Sequence, residues 1–130
     1  MDVALVTGAG GFIGGHLVRR LREEGVSRIR AVDVKPLDEW YQVFPDVENV
    51  TANLELIEEC RRAVDGVDTV FNLAADMGGM GFIEANKALC MLSVLTSTHM
   101  LVAARDAGVE RFFYSSSACV YAAGKQATPE

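Results

Sequence analysis

The sequence has little of what secreted, membrane or metal-binding proteins depend on. Its 130 residues include only three cysteines, three prolines and one tryptophan. The cysteines are widely spaced and form no Cys-x-x-Cys or Cys/His pattern, which argues against a disulfide framework or a zinc site and favours reduced thiols. The first apolar run is too short for a signal peptide, and no stretch approaches the roughly 20 apolar residues of a membrane span. We therefore expect a cytoplasmic protein with no bound metal and no membrane partner.

The chain also has no excess of positive charge. Its 12 lysines and arginines face 18 aspartates and glutamates, so the net charge is -6. An acidic chain lacks the broad positive surface that binds nucleic acid or anionic lipid, although backbone N–H groups can still hold a phosphate locally. Half of the residues are hydrophobic, and the length suits one domain with a buried core. We expect residues 1–130 to form one folding unit.

Strand and helix patterns alternate along the chain. Short apolar runs predict strands, and longer stretches with one apolar face predict helices, two of which end at glycines. This alternation predicts an α/β fold: a Rossmann-like, doubly wound parallel sheet of about five strands with helices on both faces. The predicted strands are Val3–Thr7, Arg28–Val34, Val47–Ala52, Val67–Ala75 and Arg111–Ser115, and the predicted helices are Phe12–Glu24, Leu54–Val64 and Phe82–Ala107.

The first two predicted helices each have an apolar face that we expect to pack against the sheet. These faces consist of Ile13, Leu17, Val18 and Leu21 in the first helix, and of Leu54, Ile57, Cys60 and Val64 in the second.

A glycine-rich loop joins the first strand to the first helix. Gly8, Gly11 and Gly14 recur there at three-residue spacing. In a dinucleotide site one such glycine makes the tight turn, one lets the backbone approach a pyrophosphate, and one lets the helix pack on the strand. The start of the helix then holds the anion through its dipole and free amides. The loop predicts contacts to a dinucleotide at these three glycines and at Gly10, Phe12 and Ile13.

An acidic residue completes this pattern. Asp33 lies near the end of the second predicted strand, 19 residues after Gly14. A carboxylate there accepts hydrogen bonds from the adenosine ribose and repels the additional phosphate of NADP, which predicts NAD as the cofactor. Lys35 is able to pair with that phosphate and keeps NADP open as an alternative. The simpler reading is a glycine-rich turn and a solvated aspartate.

The Gly-x-x-Gly-x-x-Gly spacing resembles the extended members of the short-chain dehydrogenase/reductase family, the NAD-dependent epimerases and dehydratases. Two later segments, Asn72–Leu73–Ala74–Ala75 and Tyr114–Tyr121, resemble this family as well. The first is similar to the turn that faces the cofactor, and the second to the segment with the catalytic serine or threonine. The resemblance implies additional cofactor contacts at Asn53, Leu54, Leu73, Ala74, Ala75 and Ser115.

Within that family, the run Phe71–Ile83 and the segment Ser116–Tyr121 are similar to GDP-mannose 3,5-epimerases. The resemblance implies oxidation of a nucleotide sugar at C4, proton exchange at C3 and C5, and return of the hydride. Carried over by position, Ser117 hydrogen-bonds the C4 oxygen and Cys119 transfers a proton. Gly78 and Gly79 let the sugar approach the backbone. Without the resemblance, Cys119 reads as a small core residue.

The chain departs from the family at its end. The family pairs its serine with a Tyr-x-x-x-Lys on the following helix, and Tyr121–Lys125 matches only the letters, because Gly124 and Pro129 argue against a helix there. We therefore expect this chain to be the N-terminal part of a longer enzyme and to be inactive alone. A homodimer is one option for the assembly of that enzyme. Ser93 and Val94 also replace an asparagine that is usual in the long helix.

Two alternatives stay open. The first is a sugar dehydratase or reductase on the same scaffold, although Ala118 and Cys119 stand where dehydratases carry an Asp–Glu pair. The second is a non-catalytic dinucleotide-binding module, which a natural end at Glu130 would favour.

Overall fold

The computed structural model describes residues 1–74 and 87–114. Five parallel strands form one sheet in the order β3-β2-β1-β4-β5. The strands are β1 Val3–Thr7, β2 Arg28–Asp33, β3 Glu48–Thr51, β4 Thr69–Asn72 and β5 Arg111–Tyr114; the α-helices are α1 Phe12–Glu23, α2 Ile57–Val64 and α3 Lys87–Ala107, and a short 3-10 helix spans Leu37–Glu39. This order confirms the Rossmann-like fold that the sequence predicts.

The first strand lies at the centre of the sheet. It pairs with β2 on one side and with β4 on the other, and Val6 has Ala31 and Phe71 as its two partners. Residues 4–7 are fully buried, as expected for an apolar strand covered on both faces. The chain first adds strands on one side of β1 and then on the other. The two halves therefore separate at the carboxyl end of β1, where open α/β sheets bind ligands.

Helices cover both faces of the sheet. Successive side chains of a strand point to opposite faces. Accordingly, Ala4 and Val6 pack with Val18 and Leu21 of α1. On the other face, Leu5 and Val70 pack with α2 and α3, which contribute Cys60, Val64, Met100, Ala103 and Ala104. None of the helices within the described ranges is long and apolar enough to cross a membrane.

The main differences from the predicted boundaries have local causes. The second helix starts at Ile57 rather than Leu54, because the Asn53 side-chain oxygen accepts the Glu55 N–H (3.0 Å) and shapes a turn. Strand β4 ends at Asn72 rather than Ala75, because the N–H groups of Leu73 and Ala74 turn toward Thr7. The parts of the predicted elements at 75, 82–86 and 115 lie outside the described residues.

One core prediction is wrong. The side chain of Ile13 is 70% exposed, whereas Gly14, Gly15, Val18 and Leu21 form the buried face of α1. The first turn of this helix stands at the edge of the sheet, so its apolar side chain has no strand beneath it. Gly14 takes the place of a larger residue where the helix and the turn after β1 come closest, and Gly15 faces the Gln42 side chain.

Candidate cofactor site

Gly8 and Gly14 form the tightest contacts of the glycine loop. Gly8 has a φ of +69°, and a Cβ on it would lie 2.7 Å from the Leu73 carbonyl oxygen. A Cβ on Gly14 would lie 2.1 Å from the Gly8 carbonyl oxygen. Gly8 thus makes the turn out of β1, and Gly14 lets α1 start directly against that turn.

Gly11 is in a different environment. A Cβ built on it would come near only one atom, the Gly8 carbonyl oxygen, at 3.5 Å, which is an ordinary contact. Gly11 precedes the first helical residue, and its backbone is extended. Packing within the described part of the protein therefore does not require glycine here. The space beside Gly11 fits the close approach of a pyrophosphate, the remaining role in the predicted motif.

The amides of the loop fall into two groups. The Gly10 N–H donates to Asp33, and the Gly11 N–H donates to the Gly8 carbonyl (3.2 Å), so both hold the loop together. The helical ladder begins with the bond from the Gly15 N–H to the Gly11 carbonyl (2.9 Å). The amides of residues 12–14 precede it and have no acceptor within the helix. The first turn also has no acidic side chain, so an anion meets no negative charge there.

Asp33 is the acidic residue of the site, and it is only 8% exposed. Its Oδ2 accepts the Gly10 N–H at 2.9 Å, and its Oδ1 accepts the Lys35 N–H at 3.0 Å. Each carboxylate oxygen has a further lone pair for a ribose hydroxyl. The structure therefore brings Asp33 and the glycine loop into direct contact.

The hydroxyl of Thr7 connects the glycine loop to β4. It donates to the Asn72 side-chain oxygen (2.6 Å) and accepts the N–H groups of Leu73 and Ala74 (both 3.1 Å). Thr7 and Asn72 are both buried. These bonds fix the turn after β4, where Leu73 and Ala74 are predicted to contact the cofactor, beside the glycine loop. Sequence reasoning missed Thr7, although a hydroxyl in an apolar strand needs a hydrogen-bond partner.

Asn53 and Leu54 lie at the same edge of the sheet, beyond β3. The Ala52 N–H donates to the Asp33 carbonyl (3.0 Å), which brings this turn next to the end of β2. Asn53 is exposed, and its side-chain oxygen accepts the Glu55 N–H, as described above. The Leu54 side chain is buried in the core, so it offers no exposed side chain to a ligand.

The remaining predicted site residues lie outside the described residues. They are Ala75, Gly78, Gly79, Ser115, Ser117 and Cys119. The described cysteine, Cys60, is buried and free. Burial raises the pKa of the Cys60 thiol to about 11, with a smaller contribution from the negative charge of Glu59. This thiol is therefore protonated and unreactive at neutral pH.

The fold and the site together define a dinucleotide-binding domain: a parallel sheet with β1 at its switch point, a glycine turn, open amides at the start of α1, and a carboxylate at the end of β2. Residues 4–130 match the NAD dependent epimerase/dehydratase family. The chain belongs to this family. The family's dependence on NAD agrees with the cofactor that Asp33 and the glycine loop predict.

The chain is similar to several characterised relatives. It is 48% identical over 122 residues to GDP-mannose 3,5-epimerase 1 of Oryza sativa subsp. japonica, which covers 93% of this chain and 32% of that protein. The Arabidopsis thaliana GDP-mannose 3,5-epimerase is 46% identical over the same shares. Among solved structures, MoeE5 in complex with UDP-glucose and NAD superposes with a TM-score of 0.77 at 34% identity, over 94% of this chain and 38% of MoeE5. The chain thus spans about a third of the length of the curated relatives it matches.

Proposed function

We propose that residues 1–130 are the NAD-binding domain of a nucleotide-sugar epimerase similar to the GDP-mannose 3,5-epimerases. The observation that carries the cofactor half of this proposal is the buried Asp33 carboxylate bonded to the Gly10 amide (2.9 Å). It joins the ribose-binding residue to the phosphate-binding loop in one arrangement. The substrate half is supported by the 48% identity to the rice GDP-mannose 3,5-epimerase. The substrate class is therefore a nucleotide sugar.

The described residues bind and orient the cofactor. The amides of residues 12–14 hold the pyrophosphate at the positive end of α1, and Asp33 accepts hydrogen bonds from the adenosine ribose. The Thr7–Asn72 pair holds Leu73 and Ala74 at the edge where the cofactor would lie, and the sequence resemblance assigns Ala75 to the same contact. NAD supplies a hydride acceptor and donor for the sugar C4.

The catalytic residues are assigned from the sequence resemblance. Transfer of the C4 hydride to NAD and of the hydroxyl proton to a base, the role that the family gives to the tyrosine of its Tyr-x-x-x-Lys, would convert the C4 alcohol to a ketone, which makes the C3 and C5 protons acidic. Ser117 hydrogen-bonds the C4 oxygen, and Cys119 is one of the groups that remove a proton or return it on the opposite face. Gly78 and Gly79 let the sugar approach the backbone. Return of the hydride to C4 and of a proton to its oxygen would restore the alcohol.

Solvent exchange tests this proposal. The full natural protein is incubated with NAD and GDP-mannose in D2O, and deuterium at C3 and C5 is read by NMR. We expect deuterium at one or both carbons in the wild type, and its loss in C119A. The matched control is C60A, which removes the buried thiol described above. This variant should keep the exchange at C3 and C5. Release of water, net reduction of NAD, or no reaction would each overturn the epimerase assignment.

The proposal extends to assembly and location. Val94 and Leu101, seven residues apart on one face of α3, are both more than half exposed, and we assign this face to a homodimer. Sedimentation of the wild type and of L101E tests this: a dimer that becomes a monomer supports it, and equal masses contradict it. We extend the proposal to a cytoplasmic location, because the three widely spaced cysteines form no pattern typical of a disulfide framework.

A further inference from the structure

Gly10 is held from three directions. Its N–H donates to Asp33 Oδ2 (2.9 Å), and its carbonyl accepts the Tyr41 N–H (2.9 Å). Its Cα lies against the Trp40 indole, since a Cβ at this position would lie 2.8 Å from the ring carbon Cδ1. The connection that follows β2 therefore touches the glycine loop at its middle residue.

Trp40 is itself fixed in place. Its ring is 7% exposed and packs in the same core cluster as Ala9 and Ala31. Its Nε1–H donates to the Lys35 carbonyl (2.8 Å), and the Lys35 N–H donates to Asp33 Oδ1 (3.0 Å). Asp33, Gly10, Trp40 and Lys35 thus form a closed ring of contacts, which we call the Gly10 clamp.

We propose that Trp40 is a positioning residue of the cofactor site, acting through Gly10. The proposal rests on NAD binding at the glycine loop. Gly10 is two residues before Phe12, the first open amide, so its position sets where the amides of residues 12–14 point. A loop that is held in its binding geometry before the cofactor arrives avoids the entropy cost of ordering it on binding. The ring also excludes any side chain at position 10.

This role differs from a purely structural one in what a substitution changes. A residue that only fills the core lowers the melting temperature and leaves the affinity of the folded protein for NAD unchanged. A residue that positions the loop changes both. The indole also lies in contact with the loop that binds the pyrophosphate, so its fluorescence should respond when NAD binds.

The test compares three variants by calorimetry with NAD, at a temperature where all are folded. W40L removes the ring, and W40F keeps a ring but loses the Nε1–H. The matched control, L21A, opens the same core cluster near the other end of α1. We expect W40L to raise the Kd about tenfold, comparable to the loss of one hydrogen bond to a charged group. W40F should be intermediate, and L21A should keep the wild-type Kd despite a lower melting temperature.

Fluorescence gives a readout that does not depend on the folding of W40L. The Trp40 emission is obtained by subtracting the W40F spectrum from that of the wild type. We expect it to change saturably with NAD, with the Kd that calorimetry gives. Unchanged emission together with a Kd in W40L within twofold of the wild type would overturn the role of Trp40 and leave the NAD site intact. Absence of NAD binding to the wild type would overturn the proposed function as well.

Discussion

The Thr7 hydroxyl donates to the side-chain oxygen of Asn72 over 2.6 Å, inside the protein, where β1 and β4 end side by side. Two backbone amides of the next turn donate to the same hydroxyl. This one oxygen atom therefore takes part in three hydrogen bonds at the sheet edge where the cofactor is predicted to bind.

Replacement of this hydroxyl by a methyl group is expected to destabilise the protein. T7V conserves volume but leaves the Asn72 oxygen and the two amides without this partner. We expect the free energy of unfolding to fall by about 1 to 3 kcal/mol, the cost of a buried unsatisfied polar group. T7S keeps the hydroxyl and is the control. Urea unfolding measures both variants, and equal stability of T7V and T7S would contradict the role of the hydroxyl.

Two glycines of the loop are expected to respond in opposite ways to alanine. G14A places a methyl group 2.1 Å from the Gly8 carbonyl oxygen, so we expect a loss of stability above about 4 kcal/mol or failure to fold. G11A has room for its methyl group and should keep the wild-type melting temperature. Its NAD Kd should rise by more than about tenfold, or about 1.4 kcal/mol, because the methyl group occupies the space beside the pyrophosphate. Wild-type affinity in G11A would show that the pyrophosphate does not approach this glycine.

Asp33 is expected to control the choice between NAD and NADP. Both carboxylate oxygens accept backbone N–H groups. The side-chain NH2 group of D33N would therefore face one of these N–H groups, and that hydrogen bond would be lost. We expect NAD affinity to fall by about 1.5 to 3 kcal/mol, the range for hydrogen bonds to charged groups. NADP should lose less, because the repulsive charge is gone. Calorimetry with both cofactors measures the ratio.

The control for D33N is D38N, which removes one negative charge from an exposed position of the 3-10 helix. It should leave the ratio of the two affinities unchanged. A similar shift in both variants would attribute the preference to net charge rather than to the position of Asp33.

Cys60 is expected to make the stability of the protein fall at alkaline pH. Burial raises the pKa of its thiol from 9.0 to about 11. Because the folded pKa is the higher one, the folded state binds the proton more tightly than the unfolded state. Its contribution to stability is complete below pH 9 and is lost as the pH rises from 9 toward 11. Urea unfolding across this interval should show a steeper decline in the wild type than in C60A, and parallel curves would contradict this.

The sequence was sufficient for the parts of the structure that depend on local patterns. The spacing of Gly8, Gly11 and Gly14 between a strand and a helix, with Asp33 at the end of the next strand, predicted the loop and the acidic residue of the site. The alternation of strand and helix patterns predicted the parallel sheet. These features follow from periodicity and from the backbone conformations that glycine permits.

Features that depend on tertiary packing were not accessible in this way. Ile13 fits the apolar face of α1 by spacing, but a periodic pattern does not show where the sheet under the helix ends. Trp40 lies in an irregular connection, where neither period applies, so the sequence alone did not predict that its ring is buried against Gly10. The partners of Thr7 come from a strand 65 positions away.

That separation has a consequence for the protein during its synthesis. The glycine loop and α1 leave the ribosome long before β4. Yet the Asn72 side chain, which accepts the hydrogen bond from the Thr7 hydroxyl, belongs to β4, and the turn against which Gly8 packs follows β4. A nascent chain therefore carries the complete glycine motif from the translation of Gly14 until that of Asn72 without the contacts from β4 and its following turn. The cofactor site is therefore among the first segments translated, but its glycine loop gains the support of the turn after β4 only once β4 has paired with β1.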